Sequence, residues 1–530
     1  SDQENGKLSF KFEETQGIAV TMTFWVGDDG NTLRKQISFV QSSDKTIDYI
    51  LLEHIGITNS KTHFTVPTDI KGTELDGFQS SLGQPFYIDT LFFGCEFPAT
   101  QNIILYGIGQ VKYFLGKKIN GEFKCPVTVI GGAESDLMVD VQKSFYEYIE
   151  NISTKTDLRL QYNSWYDYMK DITADNIEKS FYEIEKGLSS NGVPPLDAYV
   201  VDDGWVDYKS GFWSFNKKFP NQLYDTTQLT SKIGSHFGLW PDLFAKKMEK
   251  RGLGAYNAEA KDICIADKTY IKNVTDFILK STQEFDIDYW KFDGFCLTPC
   301  KDANHNHPVG GEQDMYMITD MWQSWIEVFQ KIRTLRKKFG KGLWINMTCY
   351  VNPSPWWLQY VNSIWLQNSG DIGFAENIQG QSKLDSEITY RDARYFNLLN
   401  TRAVQMPLKH IYNHEPIYGN HAKVQYTDEE FEKYIYFDVA RGQALNELHL
   451  SYTMMNKSKW RTLAKAIEWQ KNNYNVLQNA MFIGGNPEEN NVYGYFSWNE
   501  NGDGIIALRN PTDEKAPLTL TLNKLMGCPK

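Results

Sequence analysis

The chain has 530 residues, 41% of them hydrophobic and 23% charged, which is too long for one hydrophobic core and ample for several. A net charge of −12 and a pI near 5.4 exclude a surface built for nucleic acid or an anionic membrane. No apolar run reaches the roughly 18 residues that a bilayer span requires.

Residues 1–150 read as a β-sandwich-like domain. "KLSFKFEE", "IAVTMTFWVG", "LRKQISFVQ", "THFTVPT" and "NIILYGIG" alternate or carry β-branched runs between Gly, Asp and Asn turns. From about residue 151 to 475 apolar strands alternate with amphipathic helices. The strand candidates lie at 158–165, 197–205, 236–244, 287–295, 341–349, 362–368, 407–413 and 447–453. After the first comes a helix with Ile177, Phe181, Ile184 and Leu188 on one face, and Asp175 and Glu178 are spaced as its capping box. Eight such units make an α/β chain with a (β/α)8 TIM barrel. Residues 476–530 return to β text as a small antiparallel domain, with a hairpin around "NENGDG" and a further strand in "APLTLTL".

Catalytic groups of such a barrel lie at the C-terminal ends of its strands. Those ends carry Asn163 and Trp165; Asp202, Asp203 and Trp205; Trp240 and Asp242; Lys291 and Asp293; Asn346 and Cys349; Trp365, Gln367 and Asp371; His410 and Asn413. Carboxylates, an ammonium and indoles in one ring supply the acceptors, donors and flat faces of a sugar pocket, and 14% aromatic content agrees with it. Two separated carboxylates suit glycoside hydrolysis, one attacking the anomeric carbon and the other protonating the leaving oxygen. Lys291 is placed to hold Asp293 ionised.

At these residues the chain resembles the glycoside hydrolase clan of families 27, 31 and 36. "YWKFDGF" is similar to its nucleophile strand, "VVDDGW" to the Asp-Asp pair of α-galactosidases and α-N-acetylgalactosaminidases, "YNSWYDY" and "FGLWPD" to their first and third strands, and "WLQNSGDIGF" to the acid/base segment. The melibiase-like family 36 fits best. The resemblance implies Asp293 as nucleophile and Asp371 as acid/base. It also implies Asp202 and Asp203 on the axial O4 and the O6 of a galacto sugar, Lys291 on the O3/O4 side, and Trp165 and Trp240 as walls. Cys349 and Trp365 complete the expected binding residues. The chain departs from the family after strand five, where "TCYVNPSPWW" replaces Cys-x-x-Gly-Gly-Gly-Arg, and Arg391 or Arg394 is the candidate for a missing C2-contacting arginine.

The expectation is a retaining exo-α-glycosidase for terminal galactose or N-acetylgalactosamine, acting on an oligosaccharide or glycoconjugate without cofactor or metal. The alternatives are a raffinose-synthase-like transglycosylase and a non-catalytic carbohydrate-binding barrel. Cys296, Cys300, His305 and His307 form C-x3-C-x4-H-x-H, off the usual zinc spacings, and read as a loop rimming the pocket. His414 and Glu415 are candidates for substrate contact or a loop cap. Seven cysteines demand no disulfide framework. A start without Met fits a processed chain, with export favoured over the cytoplasm.

Overall fold

The computed structural model describes residues 2–4, 6–209, 213–243, 252–422 and 424–528. At its centre, parallel strands Arg159–Asn163, Ala198–Val201, His236–Leu239, Ile287–Phe292, Trp344–Met347 and Ser363–Trp365 pair in chain order. The seventh strand is split: Ile411–Tyr412 pairs with the sixth, and Ile417–Tyr418 pairs with the eighth, Leu445–Leu450. The eighth returns to the first and closes a (β/α)8 barrel.

Strands two, four and eight are buried along their whole length, as parallel strands covered by helices must be. On strand four, alternation divides the side chains. Trp290 and Phe292 face the helices, with Trp290 Nε1 donating to Thr282 Oγ1 at 2.9 Å and Phe292 against Trp325 and Phe329. Lys291 faces the barrel interior.

Helix Ala174–Ser189 buries Ile177, Phe181, Ile184 and Leu188 completely, each contributing about 1.5–3 kcal/mol by removal from water. Its capping box is Thr173 with Asn176, not Asp175 with Glu178. The Thr173 hydroxyl accepts from Asn176 N at 3.2 Å, and Asn176 Oδ1 accepts from Thr173 N at 2.8 Å.

Preceding the barrel are two antiparallel sheets of nine and three strands. Ile47–Gly56, Leu91–Cys95 and Thr128–Gly132 are among the strands that go beyond the sequence expectation. After the barrel, Met481–Gly484, Tyr493–Trp498 and Gly504–Arg509 form a three-stranded sheet, and its last two strands are the expected hairpin. Residues 516–522 form no strand. This sheet is fastened to the barrel by Asp392, which accepts from the hydroxyls of Tyr493 and Tyr495, both at 2.6 Å. Among the described residues no helix is long and apolar enough to cross a membrane.

Candidate active site

Asp293 directly follows the end of strand four. Its Oδ1 accepts from Thr348 Oγ1 at 2.5 Å, Gly294 N at 2.9 Å and Cys349 Sγ at 3.2 Å. Its Oδ2 accepts from Trp240 Nε1 at 3.1 Å. Strands three and five thus clamp the carboxylate from either side, which fixes its direction with one oxygen much less encumbered than the other. Burial, followed by the charge of Asp293, pushes the Cys349 thiol well above its ordinary pKa, so it remains a proton donor.

The Lys291 ammonium does not take Asp293 as its ion-pair partner. It meets Asp202 Oδ2 at 2.8 Å, with both side chains almost fully buried. Asp202 Oδ2 also accepts from Asn163 Nδ2 at 2.9 Å, and Asn163 continues to Glu447 Oε1 at 3.1 Å. Burial alone would depress the lysine, but Asp202, Glu447 and then Asp293 outweigh it and raise its pKa. Lys291 therefore balances several carboxylates at once.

Asp203 takes different partners. Its Oδ1 accepts from the Tyr208 hydroxyl at 2.6 Å and its Oδ2 pairs with Lys170 at 2.9 Å. The chain bends here through Gly204, at φ +122°, where a Cβ would come within 2.7 Å of the Lys170 carbonyl. Only glycine permits both the bend and that approach.

Asp371 lies beyond strand six with its side chain 57% exposed, and His414 Nδ1 lies 3.9 Å from its Oδ1. Desolvation in the concave mouth, then the charge of Asp293, raises its pKa, against the opposing pull of Lys291. Its backbone is held firmly, since the Asp371 carbonyl accepts from Arg391 Nη2 at 2.6 Å and from the Tyr166 hydroxyl at 3.0 Å. Arg391 also binds the Gly370 carbonyl and Ser369 Oγ. His414 lies beneath, kept neutral by burial and by Lys291, which depress its pKa strongly. A carboxyl with raised pKa within electrostatic reach of a clamped carboxylate offers the two kinds of group that general acid catalysis with nucleophilic attack uses.

Solved structures share this architecture. The GH36 α-galactosidase AgaA of Geobacillus stearothermophilus superposes with a TM-score of 0.64 at 12% identity, over 97% of this chain and 80% of that one. The galactosidase domain of the α-galactosidase–sucrose kinase AgaSK gives 0.65 at 12% identity, over 98% and 76%. The α-galactosidase of Lactobacillus brevis gives 0.60 at 11% identity, over 96% and 75%. The chain has the GH36 α-galactosidase fold. No protein-family model and no curated protein sequence matches it.

Within this GH36 fold the segment after strand five has its own use. Asn352 Nδ2 donates to the carbonyls of Leu82 and Pro98 at 3.2 and 2.5 Å, Ser354 Oγ to that of Gly83 at 2.8 Å, and Gln84 Nε2 to that of Pro353 at 2.6 Å. Trp356 fills the space over Gly94, where a Cβ would stand 2.0 Å from its ring. "TCYVNPSPWW" therefore seats the N-terminal sheets. Of the two candidate arginines, Arg391 holds carbonyls of the Asp371 loop, and Arg394 pairs with Glu488 at 2.8 Å.

The other expected residues divide. Trp240 and Cys349 touch Asp293, and Trp165 is half-buried against Tyr166 beside Ile372. Trp365 is buried, donating from Nε1 to the Ser369 carbonyl at 3.0 Å beneath the Asp371 loop. His410 precedes strand seven and lies at the opposite end of the barrel, with Nε2 2.8 Å from Glu150 Oε1. Glu415 is buried between Arg441 and Arg391. The sequence reading passed over Glu447, His449, Thr348 and Tyr166. Glu447 and His449 on strand eight, and Ser451 just past its end, repeat every second residue, and that alternation marks a polar face turned into the barrel.

Proposed function

We propose that the chain is a retaining exo-α-glycosidase that removes terminal α-linked galactose or N-acetylgalactosamine. The observation that carries this is a firmly clamped Asp293 together with an Asp371 whose pKa is raised by burial and then by the charge of Asp293. In support, neighbours of the same fold have been solved in complex with stachyose and with raffinose.

In this reading Asp293 Oδ2 attacks the anomeric carbon while protonated Asp371 gives its proton to the departing oxygen. Asp371, now ionised, takes a proton from water. That water attacks the same carbon and releases Asp293. Asp202 accepts from the axial O4, Asp203 from O6, Lys291 donates on the O3/O4 side, and Trp165 and Trp240 wall the ring.

The test is to react the protein with a 2-fluoro or cyclophellitol-type galacto reagent and locate the label by peptide mass spectrometry. Label on Asp293 is expected, and label elsewhere overturns the assignment. Parallel assays with p-nitrophenyl α-galactoside and its N-acetylgalactosamine counterpart choose the sugar. Transfer to an added sugar in preference to water would favour the transglycosylase, and tight binding without label or turnover the binding barrel.

A further inference from the structure

The loop that leaves the Asp293 strand carries a second chemical cluster. Cys264, Cys300, His305 and His307 bring two sulfurs and two ring nitrogens together, all within 4.8 Å of one another. Cys264 Sγ is 3.2 Å from His307 Nε2, and Cys300 Sγ is 3.1 Å from His305 Nδ1. Cys264 and Cys300 are 0% and 1% exposed, and His307 7%. Cys296, which the bare spacing would enlist, is absent from the group; its sulfur instead accepts from Thr298 N at 3.3 Å.

We propose that these four side chains form a structural zinc site. Two thiolates and two imidazoles are the donor set of a closed tetrahedral zinc, whose bonds of about 2.0–2.3 Å set ligand atoms roughly 3.3–3.8 Å apart. Small side-chain adjustments therefore suffice to seat the ion. The outer face of each imidazole points the same way. His307 Nδ1 lies 3.0 Å from the Pro308 carbonyl, and His305 Nε2 lies 3.4 Å from Asp302 Oδ2. Acceptors on the outer nitrogens hold the protons there and present the inner nitrogens as lone-pair donors, as the outer partners of metal-bound histidines do. Chance packing gives no reason for both rings to be oriented so.

Four protein ligands leave no open position, so the ion would serve stability and not the sugar chemistry. It would join the Asp293 loop to the segment just before Asp267, the N-cap of helix Lys268–Glu284. Two hydrogen bonds make the same connection, from Lys268 N to Asn306 Oδ1 at 2.8 Å and from Asn257 Nδ2 to the Thr298 carbonyl at 3.1 Å.

The experiment is elemental analysis of the full chain without a histidine tag, produced in zinc-supplemented medium, for the wild type and for C264S/C300S, H307A and C296S. About one zinc per chain is expected in the wild type and in C296S, and a stoichiometric loss in the other two. Removal of the ion by a strong chelator should lower Tm by about 5 °C or more, recovered on adding zinc. Cobalt exchange should give the intense visible bands of a tetrahedral thiolate complex. Wild-type protein without stoichiometric metal, a Cys264–Cys300 disulfide in the native protein, a different metal at full occupancy, or zinc retained by C264S/C300S would each overturn the proposal. The wild-type metal content decides even where a variant does not fold.

Discussion

Replacing Lys291 by methionine keeps the length of the side chain and deletes the ammonium. Asp202 then stays buried, held by Asn163 Nδ2 and by the Asp203 amide, each at 2.9 Å, without its cation. Breaking a buried pair by removing one partner costs about 3–5 kcal/mol, and the two remaining donors put this case near 3. For a chain of this size that is a fall of about 3 °C in Tm at pH 8. The pH dependence separates this cause from a packing defect. Lys291 has a raised pKa in the folded wild type, so its contribution is complete below the unfolded value and is lost only as pH climbs through the folded one. It is therefore constant between pH 5 and pH 8. In K291M the uncompensated Asp202 acquires a raised pKa, and the folded variant takes up a proton as pH falls, which stabilises it. The gap between variant and wild type should thus narrow from pH 8 to pH 5. In D202N/K291M it should be smaller than in K291M at pH 8 and independent of pH. Differential scanning calorimetry at both pH values reads all three. A gap of K291M that does not change with pH, or no gap, would refute the argument that Lys291 balances buried carboxylate charge.

Asp371→Ala should cripple natural disaccharides by two or more orders of magnitude beyond its effect on activated aryl glycosides, with azide partly rescuing the latter; equal losses would move the acid elsewhere. Because the Asp371 pKa is raised and a general acid must be protonated, kcat/KM for poor leaving groups should fall as pH rises through that value, and an alkaline limb that survives in Asp371→Ala would contradict this. Arg391→Gln should lower kcat on disaccharides about 10–100-fold by loosening the Asp371 loop while Asp293 still accepts the trapping reagent. Asp203→Asn should reduce kcat/KM on galacto substrates sharply without admitting gluco ones, whose equatorial O4 leaves a buried carboxylate unpaired; comparable wild-type rates on aryl α-glucoside and α-galactoside would refute the strand-two assignment.

The barrel could be read from the sequence because its strands are short apolar runs between amphipathic helices, as in "DAYVV" and "IDYWKF". Strand seven is only half legible: the candidate at 407–413 contains Ile411–Tyr412 but not Ile417–Tyr418. Its two pieces are too short to show any period. Asp293 and Asp202 stood out as polar residues at the tips of apolar strands. The partnership of Lys291 with Asp202 did not, because it crosses from strand four to strand two, and a chain reads only its own neighbours. Cys264 escaped for the same reason, lying a whole helix away from Cys300.

The seat formed by Asn352, Ser354 and Trp356 bears on modularity. Thr348 and Cys349, which aim Asp293, begin the stretch of chain that ends in that seat. Excising the N-terminal sheets would strip the partners from fully buried Asn352 and Ser354 and lay bare the Trp356 indole. The carboxylate's two strand-five supports would then be tethered to an unanchored segment. The β sheets and the barrel are accordingly a single mechanical object, and the barrel is not a catalytic cartridge that could be transplanted without them.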